Sequence, residues 1–253
     1  MAVPSPLNTR WTVAALLTLT VVTGLVDAVS YLRLGHVFVA NMTGNVVFLG
    51  FGVDHGSGLS AVASGVAIAG FALGALAGGR VAHAMADRRT GLWLTSAFAS
   101  EAIMLGLAAV LTGTAVLPFT GHGSLAVIAI LAAALGVQNG TVRHLGAPDL
   151  TTTVLTLTIT GLAADNALAG GPGAKPHRRL GSIAAMLTGA AAGAAILQWS
   201  PTAAIAIAAV LVMVVTAAFT TAAHRSPDQP DRHRRQRPAM SQTSDSSTVR
   251  IFG

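Results

Sequence analysis

Apolar residues along this chain gather in long blocks, rather than in the alternation of a strand or the single stripe of a soluble helix. Six blocks reach or nearly reach the about 20 residues that a helix needs to cross a bilayer, over residues 12–32, 59–80, 92–112, 124–140, 180–199 and 202–222. The fourth is the shortest. Two further apolar segments, 38–53 and 150–164, fall short of a crossing and begin with polar residues. Crossing alone, they would leave those polar groups in lipid, so they are predicted to be re-entrant or half-helical.

The two short segments echo each other. Asn41-Met42-Thr43-Gly44-Asn45-Val46-Val47 and Asp149-Leu150-Thr151-Thr152-Thr153-Val154-Leu155 align with Thr43 and Thr151 108 residues apart (151 − 43). Each follows a long apolar block and a Leu-Gly pair, Leu34-Gly35 or Leu145-Gly146. Three crossings per half turn the second copy upside down relative to the first, an inverted repeat. The expected fold is therefore an all-α polytopic membrane protein, with six transmembrane helices plus two re-entrant or half-helical segments in an inverted internal repeat. Its expected parts are a cytoplasmic N-terminus (1–11), a first repeat (12–112), an external loop (113–123), a second repeat (124–223) and a disordered cytoplasmic tail (224–253). The second block carries Gly70, Gly74 and Gly78 and the fifth Gly181, Ala185, Gly189 and Gly193, each at intervals of four. Such faces let helices pack closely in lipid, although an Ala- and Gly-rich chain also produces that spacing by chance.

Composition sharpens the class. Hydrophobic residues make up 53%, charged residues 9%, and mean hydropathy is +0.66, far from the roughly 25% charge of a soluble domain. The apolar blocks leave no room for a separate catalytic domain, and the absence of cysteine excludes disulfides and thiol chemistry. The net charge of +6 lies in loops and tail, with no basic stripe interleaved with aromatics, so nucleic acid is not expected. Charge instead reports orientation. With six crossings and Arg10 inside, the groups Arg80, Arg88, Arg89, then Arg143, then Lys175, Arg178, Arg179, and the Arg-rich tail all face the cytoplasm. Arg33 alone falls outside. Eight crossings would strand at least one cluster on the wrong side, so both termini are expected in the cytoplasm of a bacterial inner membrane. In the tail, Arg232, Arg234, Arg235 and Arg237 suit either anionic headgroups or a plain orientation signal.

Two runs carry a family likeness. Asp27-Ala28-Val29-Ser30-Tyr31-Leu32-Arg33-Leu34-Gly35 with Val37 to Asn45, and Gln138-Asn139-Gly140-Thr141-Val142-Arg143 with Pro148 to Thr153, resemble the bacterial YoaK-type family of membrane proteins of unknown function. The resemblance covers nearly the whole chain except the tail. It implies a polytopic inner-membrane protein and no established activity. Gly140 stands where Ala is expected and His144 where Arg is expected.

The candidate chemistry is polar groups at membrane depth. Unwound backbone there is tolerated only where protein or water surrounds it, and its N–H groups can then meet a solute. Asn41, Thr43, Asn45, Thr151, Thr152 and Thr153 would line such a path from two half-helices meeting near the midplane, or would only satisfy backbone and neighbouring helices. Glu101, in the middle of the third block, is a proton-coupling carboxylate or a packing residue. Asp27 is read as structural or gating, reaching water or Arg33, with Asn139 as its repeat counterpart. Gln138, Asn139, Arg143 and Asp149 form a candidate polar cluster at the inner entrance, with Asp149 also suited to cap the second half-helix. No phosphate loop, nucleophile elbow or His-Glu-x-x-His pair occurs, and the eight His make no compact metal set, so neither enzyme activity nor a cofactor is expected. The leading expectation is a small-solute transporter or channel, passive or proton-coupled, with the bilayer, a solute or proton and a second copy as partners. Against it stands a membrane-embedded interaction or assembly protein.

Overall fold

The computed structural model describes residues 5, 7–54, 56, 58–85, 90–145, 155–165 and 176–225. They form eight helices: α1 (Thr9–Arg33), α2 (Met42–Phe51), α3 (Ala61–Met85), α4 (Thr90–Gly113), α5 (Gly121–Leu145), α6 (Leu155–Ala164), α7 (Pro176–Ile196) and α8 (Pro201–Arg225). Six are long and apolar enough to cross a membrane, whereas α2 and α6 have 10 residues each. At 1.5 Å per residue the short helices rise only about 15 Å, half the hydrocarbon thickness. The fourth crossing, expected over 124–140, runs instead for 25 residues to Leu145. Its polar end, Gln138 to Arg143, therefore continues as helix.

Packing relates the two halves by an exchange of α1 with α5, α2 with α6, α3 with α7 and α4 with α8. The most extensive pair, α3 on α5, becomes α7 on α1, the next most extensive; α4 on α5 becomes α8 on α1, α2 on α3 becomes α6 on α7, and α4 on α8 maps to itself. The glycines repeat this at atomic scale. A methyl added at Gly74 would fall on the Ala133 carbonyl, and one at Gly189 on the Val21 carbonyl. The offsets are constant: Ala133 and Val21 differ by 112 (133 − 21), Gly189 and Gly74 by 115 (189 − 74). Gly24 against Met186 and Ala190, and Gly136 against Phe71 and Ala75, obey the same pair of offsets (136 − 24 = 112; 186 − 71 = 115). Backbone-to-backbone contact of this kind is how helices gain attraction where lipid offers no hydrophobic drive.

Helix directions fix which segments cross. Gly70, Gly74 and Gly78 meet Ala129, Ala133 and Val137 in ascending order, so α3 and α5 are parallel; Gly189 and Gly193 meet Val21 and Leu25, so α1 and α7 are parallel. In contrast, Thr112 pairs with Thr202 at 3.2 Å and Thr95 with Thr220 at 3.3 Å, so α4 and α8 are antiparallel. An antiparallel α4 and α8 require an odd number of crossings after α4, which α5, α7 and α8 supply only if α6 does not cross. Given that, the parallel α1 and α7 exclude α2 as a crossing. The Phe98 and Phe219 rings stack at 5.4 Å between α4 and α8, both fully buried.

Candidate functional site

The site grows from the loop that joins α1 to α2. After α1 the chain turns at Gly35 (φ 95°) and His36 (φ 60°), and the His36 ring meets the edge of Tyr31 at 5.4 Å. Residues 37–41 then return along α1 without helical structure. Their backbone needs partners inside the protein, and two side chains supply them. Asp27 Oδ1 accepts the N–H groups of both Val39 and Ala40 at 2.9 Å. Asn45 accepts the Phe38 N–H at 2.9 Å and donates to the Phe38 carbonyl at 2.6 Å. Phe38 stacks between Tyr31 (5.0 Å) and Phe48 (5.8 Å). Gly44 makes room for it, since a Cβ there would lie 2.9 Å from the Phe38 ring.

Beside this loop lies a cavity of about 390 Å³. Its walls come from both halves: Thr23 and Asp27 of α1, the first turns of α2 from Asn41 to Phe48, Leu155 and Thr156 at the start of α6, and Met186 of α7. The N-terminal ends of the two short helices thus converge on one space. The Asn41 side chain makes no cap hydrogen bond at the start of α2, so its first-turn N–H groups keep the positive end of the helix dipole on the cavity side. Asp27 is 4% exposed, and its Oδ2 finds no donor among the described residues. Behind Thr23 stands Gln138, whose Nε2 donates to Thr23 Oγ1 at 2.9 Å, while Thr23 donates to the Leu19 carbonyl at 2.9 Å. At the far end of α6, Arg179 of α7 pairs with Asp165 at 2.8 Å.

Asp27, Asn41 and Thr43 therefore line one cavity, while Asn45 turns away from it to hold the loop. Glu101 is fully buried in α4 and does not line the cavity. The expected cluster at the inner entrance does not form among its described members: Gln138 faces Thr23, Asn139 donates to the Leu135 carbonyl at 2.8 Å, and Arg143 is exposed. Asp149, Thr151, Thr152 and Thr153 lie outside the described residues. The packing offsets of 112 and 115 between the halves both exceed the string match of 108. Asn45 of α2 and Thr158 of α6 are both buried. Arg33, expected on the wrong side and as a partner for Asp27, instead donates to the Leu197 carbonyl at 3.1 Å, just past the C-terminus of α7. A cation there meets the negative end of a helix. Thr23 and Met186 lie outside the echo segments and were not expected here, since only packing brings them to the cavity, whereas Val47, Phe48, Leu155 and Thr156 belong to those segments without having been candidate site residues.

No solved structure matches this chain. The UPF0700 transmembrane protein YoaK of Bacillus subtilis (strain 168) is 35% identical over 161 residues, which cover 62% of this chain and 67% of that protein. The family described as "Protein of unknown function (DUF1275)" matches residues 15–218, from the second turn of α1 almost to the end of α8, and this multi-pass membrane protein belongs to it.

Proposed function

We propose that this protein carries a small polar solute across the membrane through the cavity between α2 and α6. One observation supports the reading above others: non-helical backbone and two half-length helices, which lipid would not tolerate, surround a cavity that also holds a buried carboxyl group. In solute carriers built on inverted repeats, exchanging the two packings of the halves moves the opening from one face to the other. Asp27 is the carboxylate on the path in this reading, and Glu101 a packing residue of α4. The membrane is the bacterial plasma membrane and both termini are cytoplasmic, as Arg10, Arg80, Arg178 and Arg179 imply. No catalytic step and no cofactor belong to this reading.

Cysteines introduced at positions 43 and 156 of the otherwise cysteine-free chain test it. Both are expected to react with a small aqueous thiol reagent in proteoliposomes, while one at lipid-facing Leu187 stays inert. Two inert cavity positions would sink the proposal. A second reading, an assembly protein of the membrane, is favoured by an apolar groove of about 680 Å³ between α4 and α8 on the outer surface. Cross-linking at Ile103 with unreactive cavity cysteines would favour that reading.

A further inference from the structure

Two features of the cavity make opposite demands on an occupant. The start of α2 offers N–H groups that the Asn41 side chain does not cap, together with the positive end of the helix dipole, and these call for an anionic group. Asp27 calls for a cationic or donating one: its Oδ1 already holds two backbone N–H groups, Oδ2 has no donor among the described residues, and the side chain is almost fully buried. The demands lie close together. The N–H groups held by Oδ1 belong to Val39 and Ala40, immediately before Asn41 at the head of α2. A simple anion would satisfy the helix end and meet the carboxylate as a like charge. A simple cation would satisfy Asp27 and face the positive helix end. Among the described residues lining the cavity Asp27 is the sole ionisable side chain, and none of them is a lysine or arginine that would relieve either conflict.

Resting on the transport reading above, we propose that the cavity binds a compact zwitterion of the α-amino acid class. Its carboxylate accepts from the first-turn N–H groups of α2 and the Thr43 hydroxyl. Its ammonium donates to the Asp27 carboxylate once Oδ2, which has almost no accessible surface in this structure, turns toward the cavity. The aliphatic remainder lies against Val47, Phe48 and Met186 on the apolar side of the same space. The volume of about 390 Å³ falls in the range of small-ligand sites, larger than an inorganic ion needs.

The test uses the full chain in proteoliposomes with one cysteine at position 156, which lies on α6 and takes no part in the proposed contacts. L-Alanine, ethylamine and acetate are each added during modification by a small thiol reagent. L-Alanine is expected to slow the reaction saturably, and ethylamine and acetate to leave it unchanged. In the Asp27→Asn background the half-protecting concentration of L-alanine rises about tenfold or more, the scale of one lost charge-assisted hydrogen bond. The asparagine carbonyl can still accept from Val39 and Ala40, so this variant keeps the loop, and an unchanged thermal unfolding midpoint establishes that it does. Protection equal with ethylamine or acetate, no protection by L-alanine or the other neutral amino acids, or protection untouched in the folded Asp27→Asn variant each overturns the zwitterion site while leaving the water-accessible path standing. A cysteine at 156 that is inert together with one at 43 overturns both.

Discussion

Asn45 grips Phe38 by both edges of its amide, accepting the Phe38 N–H at 2.9 Å and donating to its carbonyl at 2.6 Å. A buried side chain here does the work of a neighbouring strand for a single residue of extended chain. Asn45→Ala strands both peptide groups of Phe38. The expected loss is about 2 to 3 kcal/mol, two buried hydrogen bonds with their partners left unsatisfied, read as a lower unfolding midpoint in detergent. Asn45→Asp keeps the acceptor and loses the donor, and is expected to fall between the two. Equal stability of all three proteins would mean that the loop does not depend on this pair.

The glycine register gives a paired prediction. Gly74→Ala and Gly189→Ala are each expected to destabilise by about 1 to 3 kcal/mol, the cost of overpacking a close contact, because each new methyl meets the carbonyl of the facing helix. Gly106→Ala, with nothing within 4 Å of its added Cβ, is the control and is expected to be neutral or slightly stabilising. Similar losses at 74 and 189 follow from the repeat, since the two glycines occupy equivalent places. A large effect at one and none at the other would contradict the exchange of α3·α5 with α7·α1.

The eight helices were legible because their signal is length: a block of apolar residues either reaches a crossing or does not, as 59–80 and 38–53 show. The Gly70, Gly74, Gly78 face was legible for the same reason, since spacing along one helix defines it. Gly136 and Gly140 of α5, which pack on α3, and Gly24 of α1, which packs on α7, were missed, although an offset of 112 between Gly24 and Gly136 was open to inspection (136 − 24). The string match at 108 differs from the packing offsets of 112 and 115 because runs of Thr, Val and Leu resemble themselves at several shifts, while helix packing is tied to specific backbone contacts. The cavity was only half legible. Asp27 and Thr43 stand out as polar groups in apolar surroundings, but Thr23 and Met186 are ordinary membrane residues until α1 and α7 close on each other.

Thr23 and Gln138 link the halves through a single buried side-chain hydrogen bond from α5 to α1. Thr23→Val and Gln138→Leu, alone and together, form a double-mutant cycle. A coupling of about 0.6 kcal/mol, with an upper bound near 1.7, is the scale of such bonds inside membranes. Because Thr23 lines the cavity and Gln138 stands behind it, Gln138→Leu is also expected to change the reactivity of a cysteine at 156, whereas a change on the lipid-facing side such as Leu187→Ala is not. Additive stability effects would show that the two residues do not interact in the membrane.

Glu101 presents the opposite case, a polar group whose burial brings no visible return. Its side chain is fully buried, both carboxyl oxygens lack a donor among the described residues, and it lies off the cavity. A charged group at the membrane centre costs at least about 2.5 to 3.5 kcal/mol on insertion scales, and replacing an uncompensated buried polar group by an apolar one of similar volume is often neutral or stabilising. Glu101→Gln is therefore expected to leave the unfolding midpoint within error, and Glu101→Met to hold or raise it, with cysteine reactivity at 156 unchanged in both. A marked loss of stability in Glu101→Gln would reveal a partner that needs the carboxyl itself. Altered reactivity at 156 without loss of stability would instead tie α4 to the cavity, and would return Glu101 to the solute path.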